Sequence, residues 1–215
     1  MSNNLIPVTQ DMTILKKPVI SVSPEDKDSI KKAIDTWMIQ AKADKVHKNV
    51  KYIAERDKLL VEWLFNTGMR ISDALSIKYR DIDMQKETVT FKVNKRSKKT
   101  AFIHTIPLDK SILFEVQRFK EMYLQKPDEE IFKLTRQTFD DNLAKYCKIA
   151  GIRKYSAHKF RHGCAMNDLR SGLPDFVTAH RLAHSSTSIT NSIYRRMDAE
   201  IERAFRKKET AESMN

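Results

Sequence analysis

The chain has 215 residues, 40% of them apolar and 32% charged, enough for one packed domain with a modest extension and too few for two large domains. Forty Lys and Arg against 28 Asp and Glu leave a formal charge of +12, so the expected partner is a polyanion, with nucleic acid ahead of an anionic membrane surface. The longest apolar run, Leu59 to Phe65, is broken by Glu62, and the first twelve residues lack a basic-then-apolar signal, so the expected setting is soluble and intracellular.

Residues 1–20 show neither helical nor strand periodicity and are expected to be an arm or tail. Ser23-Pro24-Glu25-Asp26 combines an N-cap, a proline at the first helical position and first-turn acids, and Ile30, Ala33, Ile34, Trp37 and Met38 follow at helical spacing. A polar, basic connector is expected from Ala41 to Lys51. A second helix carries Ile53, Leu60 and Leu64 and stops at Asn66-Thr67-Gly68, after which Ser72 and Asp73 offer a cap for a short helix through Leu75. Thr88 to Val93 and Ala101 to Ile106 both alternate, which predicts a β-hairpin closing at Pro107. Five of the nine residues from Lys92 to Thr100 are basic (Lys92, Lys95, Arg96, Lys98 and Lys99). Such a turn either contacts a polyanion or is a solvated edge that discourages strand pairing.

Beyond the hairpin the periodicity is helical. Leu113, Val116 and Tyr123 space one helix from Ser111; Phe139, Leu143 and Cys147 space another that stops at Gly151; Ala157 to Leu169 stops before Gly172. Pro174 opens the next, a Ser/Thr-rich turn spans Ser185 to Ser188, a helix is expected around Tyr194, and Met197, Ile201 and Phe205 recur every four residues. The expected fold class is mainly α with one small antiparallel sheet.

Several chemistries lack their signatures. Only four glycines occur, against roughly 15 at average usage, and none forms GxG or precedes GK[ST], so neither a dinucleotide fingerprint nor a P-loop is present. Cys147 and Cys164 form no CxxC, which removes zinc-ribbon, redox and disulfide-scaffold readings and fits a reducing cytoplasm. In His158-Lys159-Phe160-Arg161-His162 the HxxxH spacing of a zincin survives, but Lys159 stands where its glutamate base belongs. His180 and His184 also stand four apart, with no acid nearby to orient them.

Other groupings suit an anion. His158 and Arg161, three apart on a helix, project from one face and can clamp one oxyanion. Arg70 lies in the turn between two helices, where its fork of donors can face a phosphate or pair with Asp73.

Taken in order, Gly68-Met69-Arg70-Ile71-Ser72-Asp73-Ala74-Leu75, the basic hairpin, His158-x-x-Arg161-His162, Leu182-Ala183-His184-Ser185-Ser186 and Tyr194 resemble the tyrosine recombinase (phage-integrase-like) family over about residues 20–205. The resemblance implies a tyrosine recombinase catalytic-domain fold and a site-specific DNA recombinase. In that family a tyrosine attacks the scissile phosphodiester, forms a 3′-phosphotyrosyl link and frees a 5′-hydroxyl, without metal, nucleotide or other cofactor. Carried over, Arg70 and Arg161 grip the non-bridging oxygens, His158 is the acid/base histidine, His184 a further hydrogen-bonding group and Tyr194 the nucleophile. Lys99, before the second strand, resembles the general-acid lysine of the family's hairpin, with Lys95 and Lys98 as alternatives. Lys92, Lys95, Arg96, Lys98 and Lys159 are the expected DNA-binding cations. Two departures stand out: Ala183 replaces the family's usual glycine, and His184 to Tyr194 spans ten residues where nine is usual.

The resemblance also implies a layout: an arm at 1–20, one catalytic DNA-breaking-and-rejoining domain at 21–208 including a C-terminal tail helix, and a disordered tail at 209–215. It leaves no room for the additional helical domain that most relatives carry in front, so a lone catalytic domain or a fragment is expected. The implied partners are double-stranded DNA with specific recombination sites and further copies of the chain, a homo-tetramer joined through the tail helix, in the cytoplasm on the nucleoid. Two other readings stay open, a non-catalytic basic DNA-binding regulator and a type IB topoisomerase-like enzyme.

Overall fold

In the computed structural model, residues 20–44, 49–93 and 102–183 are described. Ser23 caps the first helix, α1 (Pro24–Ala43), its hydroxyl accepting from the Asp26 N–H at 3.1 Å. The expected Ala41–Lys51 connector is shorter in the structure: Ala41 is buried on α1, and α2 (Val50–Thr67) already begins at Val50. The basic composition of that stretch had masked the apolar Ala41 and Val50 at its two ends.

Helix α2 is the spine. Leu59, Leu60, Val61, Trp63, Leu64 and Phe65 are all buried, so the helix is covered on nearly every side. Gly68 closes it in the left-handed region (φ 62°), its N–H reaching the Leu64 carbonyl at 3.1 Å. The short helix α3 (Ile71–Ala74) begins earlier than a cap at Ser72 or Asp73 implied. Arg70 is its N-cap, and the Arg70 carbonyl accepts from the Asp73 and Ala74 N–H groups, both at 2.9 Å.

A 3-10 turn (Tyr79–Asp81) leads into a three-stranded antiparallel sheet of β1 (Ile82–Asp83), β2 (Thr88–Val93) and β3 (Phe102–Pro107), in that order. The expected hairpin is the β2–β3 pair, in which Phe91 faces His104 and Val93 faces Phe102. Strand β1 has two residues, too few for any alternation to register in the sequence. Helices α4 (Lys110–Met122), α5 (Arg136–Ile149), α6 (Ala157–Arg170) and α7 (Asp175–Arg181) follow, close to the predicted boundaries. The sequence reading of a mainly α fold with one small antiparallel sheet holds. The basic loop with Lys95, Arg96, Lys98 and Lys99, the Ser185–Ser188 turn, His184, Tyr194 and the Met197, Ile201, Phe205 stripe lie outside the described residues. Among the described residues no helix is long and apolar enough to cross a membrane.

Two features hold the helices in place. Gly163 lets the main chain of Val22 lie against the helix: a Cβ there would meet the Val22 carbonyl oxygen at 2.3 Å, and the Val22 N–H donates to the Lys159 carbonyl at 3.2 Å. A buried polar knot joins α2 to α5. Arg56 donates twice to Asp57 Oδ1 (2.9 and 2.8 Å), while Asp57 Oδ2 accepts from Asn142 (2.9 Å) and the Tyr146 hydroxyl (2.8 Å). Because Asp57 is fully buried, its removal strands a buried guanidinium and a buried phenol. Asp57→Ala should therefore cost about 3–5 kcal/mol in urea unfolding. Tyr146→Phe, which leaves Asp57 its other donors, should cost about 1 kcal/mol. Equal losses would show that the knot does not hold the helices as described.

Candidate active site

The turn after α2 gives the site its first cation. Gly68 turns the chain sharply, and Met69 is pinned inward by Trp63, whose Nε1 donates to its sulfur at 3.2 Å. Arg70 is thereby placed at the start of α3 with its side chain about a third exposed. Buried Asp73 stands 3.9 Å from Arg70 Nη1, the pairing the sequence suggested. Such a carboxylate steadies the fork from one side and leaves its outer donors toward solvent.

Helix α6 gives the second. Arg161 is buried, with 5% of its surface exposed, as are its α6 neighbours Phe160, Cys164 and Ala165. Its guanidinium donates to the Gly68 carbonyl at 2.8 Å and to the Leu182 carbonyl. One side chain thus ties together the turn that carries Arg70 and the backbone that enters His184. Carbonyl oxygens satisfy N–H donors but carry no net charge, so neither cancels the charge of Arg161.

His158 lies one turn before Arg161 on the exposed start of α6. Partial desolvation by its surroundings pushes its imidazole below the ordinary value, and the positive charges of Arg161, Lys159, Arg70 and Arg136 push in the same direction. Arg70 and Arg161, far apart in sequence, thus act on one imidazole, which is the convergence expected of His158, Arg161 and Arg70. A neutral imidazole at neutral pH can accept a proton. His162 packs edge-on to His158 (ring centroids 4.7 Å apart) and is held down to about 4, first by burial and then by His158, Lys159 and Arg161. Lys159 is half-buried on the same helix, and Lys92 sits on the exposed face of β2.

The third component is the end of α7. Arg181 anchors this seven-residue helix to Asp168 (2.9 Å) on α6, and Leu182 packs so closely on the Gly68 turn that a Cβ on Gly68 would meet its Cδ2 at 2.4 Å. Ala183 then takes a left-handed conformation, φ 48°. That conformation suits glycine, which explains physically why an alanine here stood out as a departure.

Sequence reasoning missed one neighbour. His104 is buried on β3, and its Nε2 lies 2.8 Å from the His180 carbonyl. The available signal was its place in the alternation Phe102, His104, Ile106, where an inward position holds an imidazole in place of a hydrocarbon. Cys164 offers no second nucleophile: its thiol is fully buried and pushed up to about 12, chiefly by burial. No group of three or more potential metal ligands occurs among the described residues. Of the site residues expected from sequence, the structure brings together Arg70, His158 and Arg161; Lys99, His184 and Tyr194 lie outside the described residues, as do Lys95, Arg96 and Lys98.

The chain is similar to known proteins in sequence and in fold. The chain is 30% identical over 152 residues to the tyrosine recombinase XerA of Pyrococcus furiosus, covering 67% of this chain and 51% of that one. It is 30% identical over 168 residues to the tyrosine recombinase XerC of Rickettsia prowazekii, covering 74% and 53%. It therefore spans about half the length of these curated relatives. The fold is similar to that of a XerA recombinase crystal structure (TM-score 0.65, 20% identity, 89% of this chain and 65% of that one). It is also similar to the catalytic domain of bacteriophage HP1 integrase (TM-score 0.58, 17% identity, 88% and 95%). The model of the phage integrase family matches residues 36–200, which is most of the chain and spans every motif from the Gly68 turn to Tyr194; the protein belongs to that family.

Proposed function

We propose that the protein is a site-specific DNA recombinase that cuts and rejoins strands through a 3′-phosphotyrosyl intermediate. The observation that carries this reading is that Arg161 holds the Gly68 turn from which Arg70 projects, with His158 one helical turn from Arg161 and within the field of both arginines. A five-coordinate phosphorus gathers negative charge on its equatorial oxygens, and two guanidiniums with an imidazole can stabilise that charge unaided by a metal.

The step is a transesterification. The Tyr194 oxygen attacks phosphorus and loses its proton to a base, for which His158 is suited; the P–O5′ bond breaks, and Lys99 on the hairpin protonates the leaving 5′-oxygen. The reverse attack by a 5′-hydroxyl of another strand regenerates the tyrosine, so the number of phosphodiester bonds is unchanged. His184 completes the hydrogen bonding to the phosphoryl group, while Lys92, Lys95, Arg96, Lys98 and Lys159 contact the backbone electrostatically. The crystal structures similar in fold include a XerH recombinase bound to its difH substrate, which supports duplex DNA as the partner here. The assembly we propose is a homo-tetramer on paired sites through a tail helix at the end of residues 21–208, acting at the nucleoid.

Three outcomes test the reading. On a nicked suicide duplex that lets the 5′-hydroxyl fragment diffuse away, the chain should form a denaturant-resistant adduct that Tyr194→Phe abolishes; a regulator forms none, and a topoisomerase relaxes supercoiled plasmid without paired sites. Arg70→Ala should slow adduct formation by about 10²–10³-fold, the effect typical of one lost transition-state donor, with site binding changed only a few-fold. A loss of binding equal to the loss of rate would assign Arg70 to ground-state contacts alone. Because partial desolvation and neighbouring cations keep His158 neutral below the ordinary imidazole value of 6.5, its basic form persists as pH falls through 6.5. The cleavage rate should accordingly hold there and decline only at lower pH; a decline centred at or above 6.5 contradicts the assignment.

A further inference from the structure

Helix α7 has seven residues, too few to hold its shape alone, and the last carbonyls of any helix lack partners within it. Here those carbonyls are claimed from two other elements. The His180 carbonyl accepts from the Ala183 N–H at 2.8 Å and lies 2.8 Å from His104 Nε2; the Leu182 carbonyl accepts from Arg161. Between them Ala183 sits at φ 48°, a conformation that costs a non-glycine residue about 1–2 kcal/mol and persists only where its surroundings dictate it.

We propose that His104 is a positioning residue of the site: its Nε2–H, donated to the His180 carbonyl, fixes the terminal turn of α7 and so sets the course of the backbone into His184. The proposal rests on the strand-transfer reading of this site for its catalytic consequence, though not for its structural one. His104 touches no reacting atom; it acts through the turn.

Three observations support it. First, the ring is buried on the inward face of β3, opposite Phe91 and beside Ile106, with the rings of Phe91, Phe102 and His180 at centroid distances of 5.5, 5.9 and 4.8 Å. Leucine would suit those neighbours as well, so what imidazole adds is the donor. Second, a carbonyl can only accept, which places the proton on Nε2. Burial and the charges of His180 and Arg161 hold His104 below the ordinary imidazole value, so the ring stays neutral with that one nitrogen protonated. Third, β3 follows directly in the chain from the loop with Lys95, Lys98 and Lys99. His104 therefore joins the strand beside the candidate general acid to the helix that precedes the candidate phosphoryl contact, while Arg161 joins the same turn to Arg70.

The test uses the full chain as wild type, His104→Leu, His104→Gln and His104→Asn. Glutamine places an N–H near the position of Nε2, whereas asparagine is too short to reach. In the free protein, hydrogen exchange at the amides of Leu182 and Ala183 should rise about fivefold or more in His104→Leu and His104→Asn, as expected for one lost hydrogen bond. It should stay near wild type in His104→Gln, with exchange in α4 unchanged in all. In single-turnover adduct formation on the nicked duplex, the Leu and Asn variants should slow at least about tenfold while binding DNA within about threefold, because a small displacement of a contacting group costs rate more than affinity. The Gln variant should recover most of the rate. If His104→Leu fails to fold, the Asn and Gln pair carries the comparison. Unchanged exchange at 182 and 183 in both donor-free variants, or a Gln variant as impaired as Asn, would overturn the inference. A wild-type chain that forms no adduct would instead overturn the strand-transfer reading and the catalytic half of this proposal with it.

Discussion

The arrangement depends on one buried guanidinium. Arg161 lies inside α6 where water cannot solvate it, so its N–H groups must be met by protein, and the Gly68 and Leu182 carbonyls meet them. Those contacts do two things at once. They lock the turn that carries Arg70 and the turn that leads to His184 to the same side chain, and neither carbonyl brings a net charge of its own. The imidazoles of His158, His162 and His104 are depressed first by desolvation, and Arg161 adds to the shift of each.

Gly68 shows how tightly backbone and chemistry are joined. It ends α2 in a left-handed conformation, offers its carbonyl to Arg161, and lets Leu182 and Cys164 approach to 2.4 and 3.0 Å of where a Cβ would stand. A side chain at this position would conflict with all three demands. The cationic face is thus carried on helices around α2, and α7, the shortest of the helices described after the sheet, is attached to it through Asp168, Arg161 and His104.

Much of this was legible in the sequence because local rules apply locally. The Ser23-Pro24 start, the Gly68 stop and the alternation of β2 and β3 each rest on neighbours a few residues apart, and the structure keeps them. The errors have equally local causes. The charged connector hid buried Ala41 and Val50, Ser72 looked like a cap where the backbone of Arg70 served, and β1 was too short to show a period. In the candidate site, motif order singled out Arg70, His158 and Arg161, whereas the contacts that Arg161 makes left no sign in the sequence. Its partners are main-chain carbonyls 93 and 21 residues away, and a carbonyl leaves no trace in residue identity. His104 was passed over for a related reason: an inward imidazole on a strand looks like packing until the helix behind it is placed.

The central claim is that Arg70, Arg161 and His158 share one oxyanion. It is tested most directly by titrating the isotope-labelled chain with orthovanadate, a phosphate mimic that needs no knowledge of the DNA site, while following the two arginine Nε–H signals and the His158 ring by NMR. Shared binding predicts that all three move together along one saturation curve with one midpoint. Separate midpoints, or an Arg70 signal that moves while those of Arg161 and His158 stay still, would contradict it.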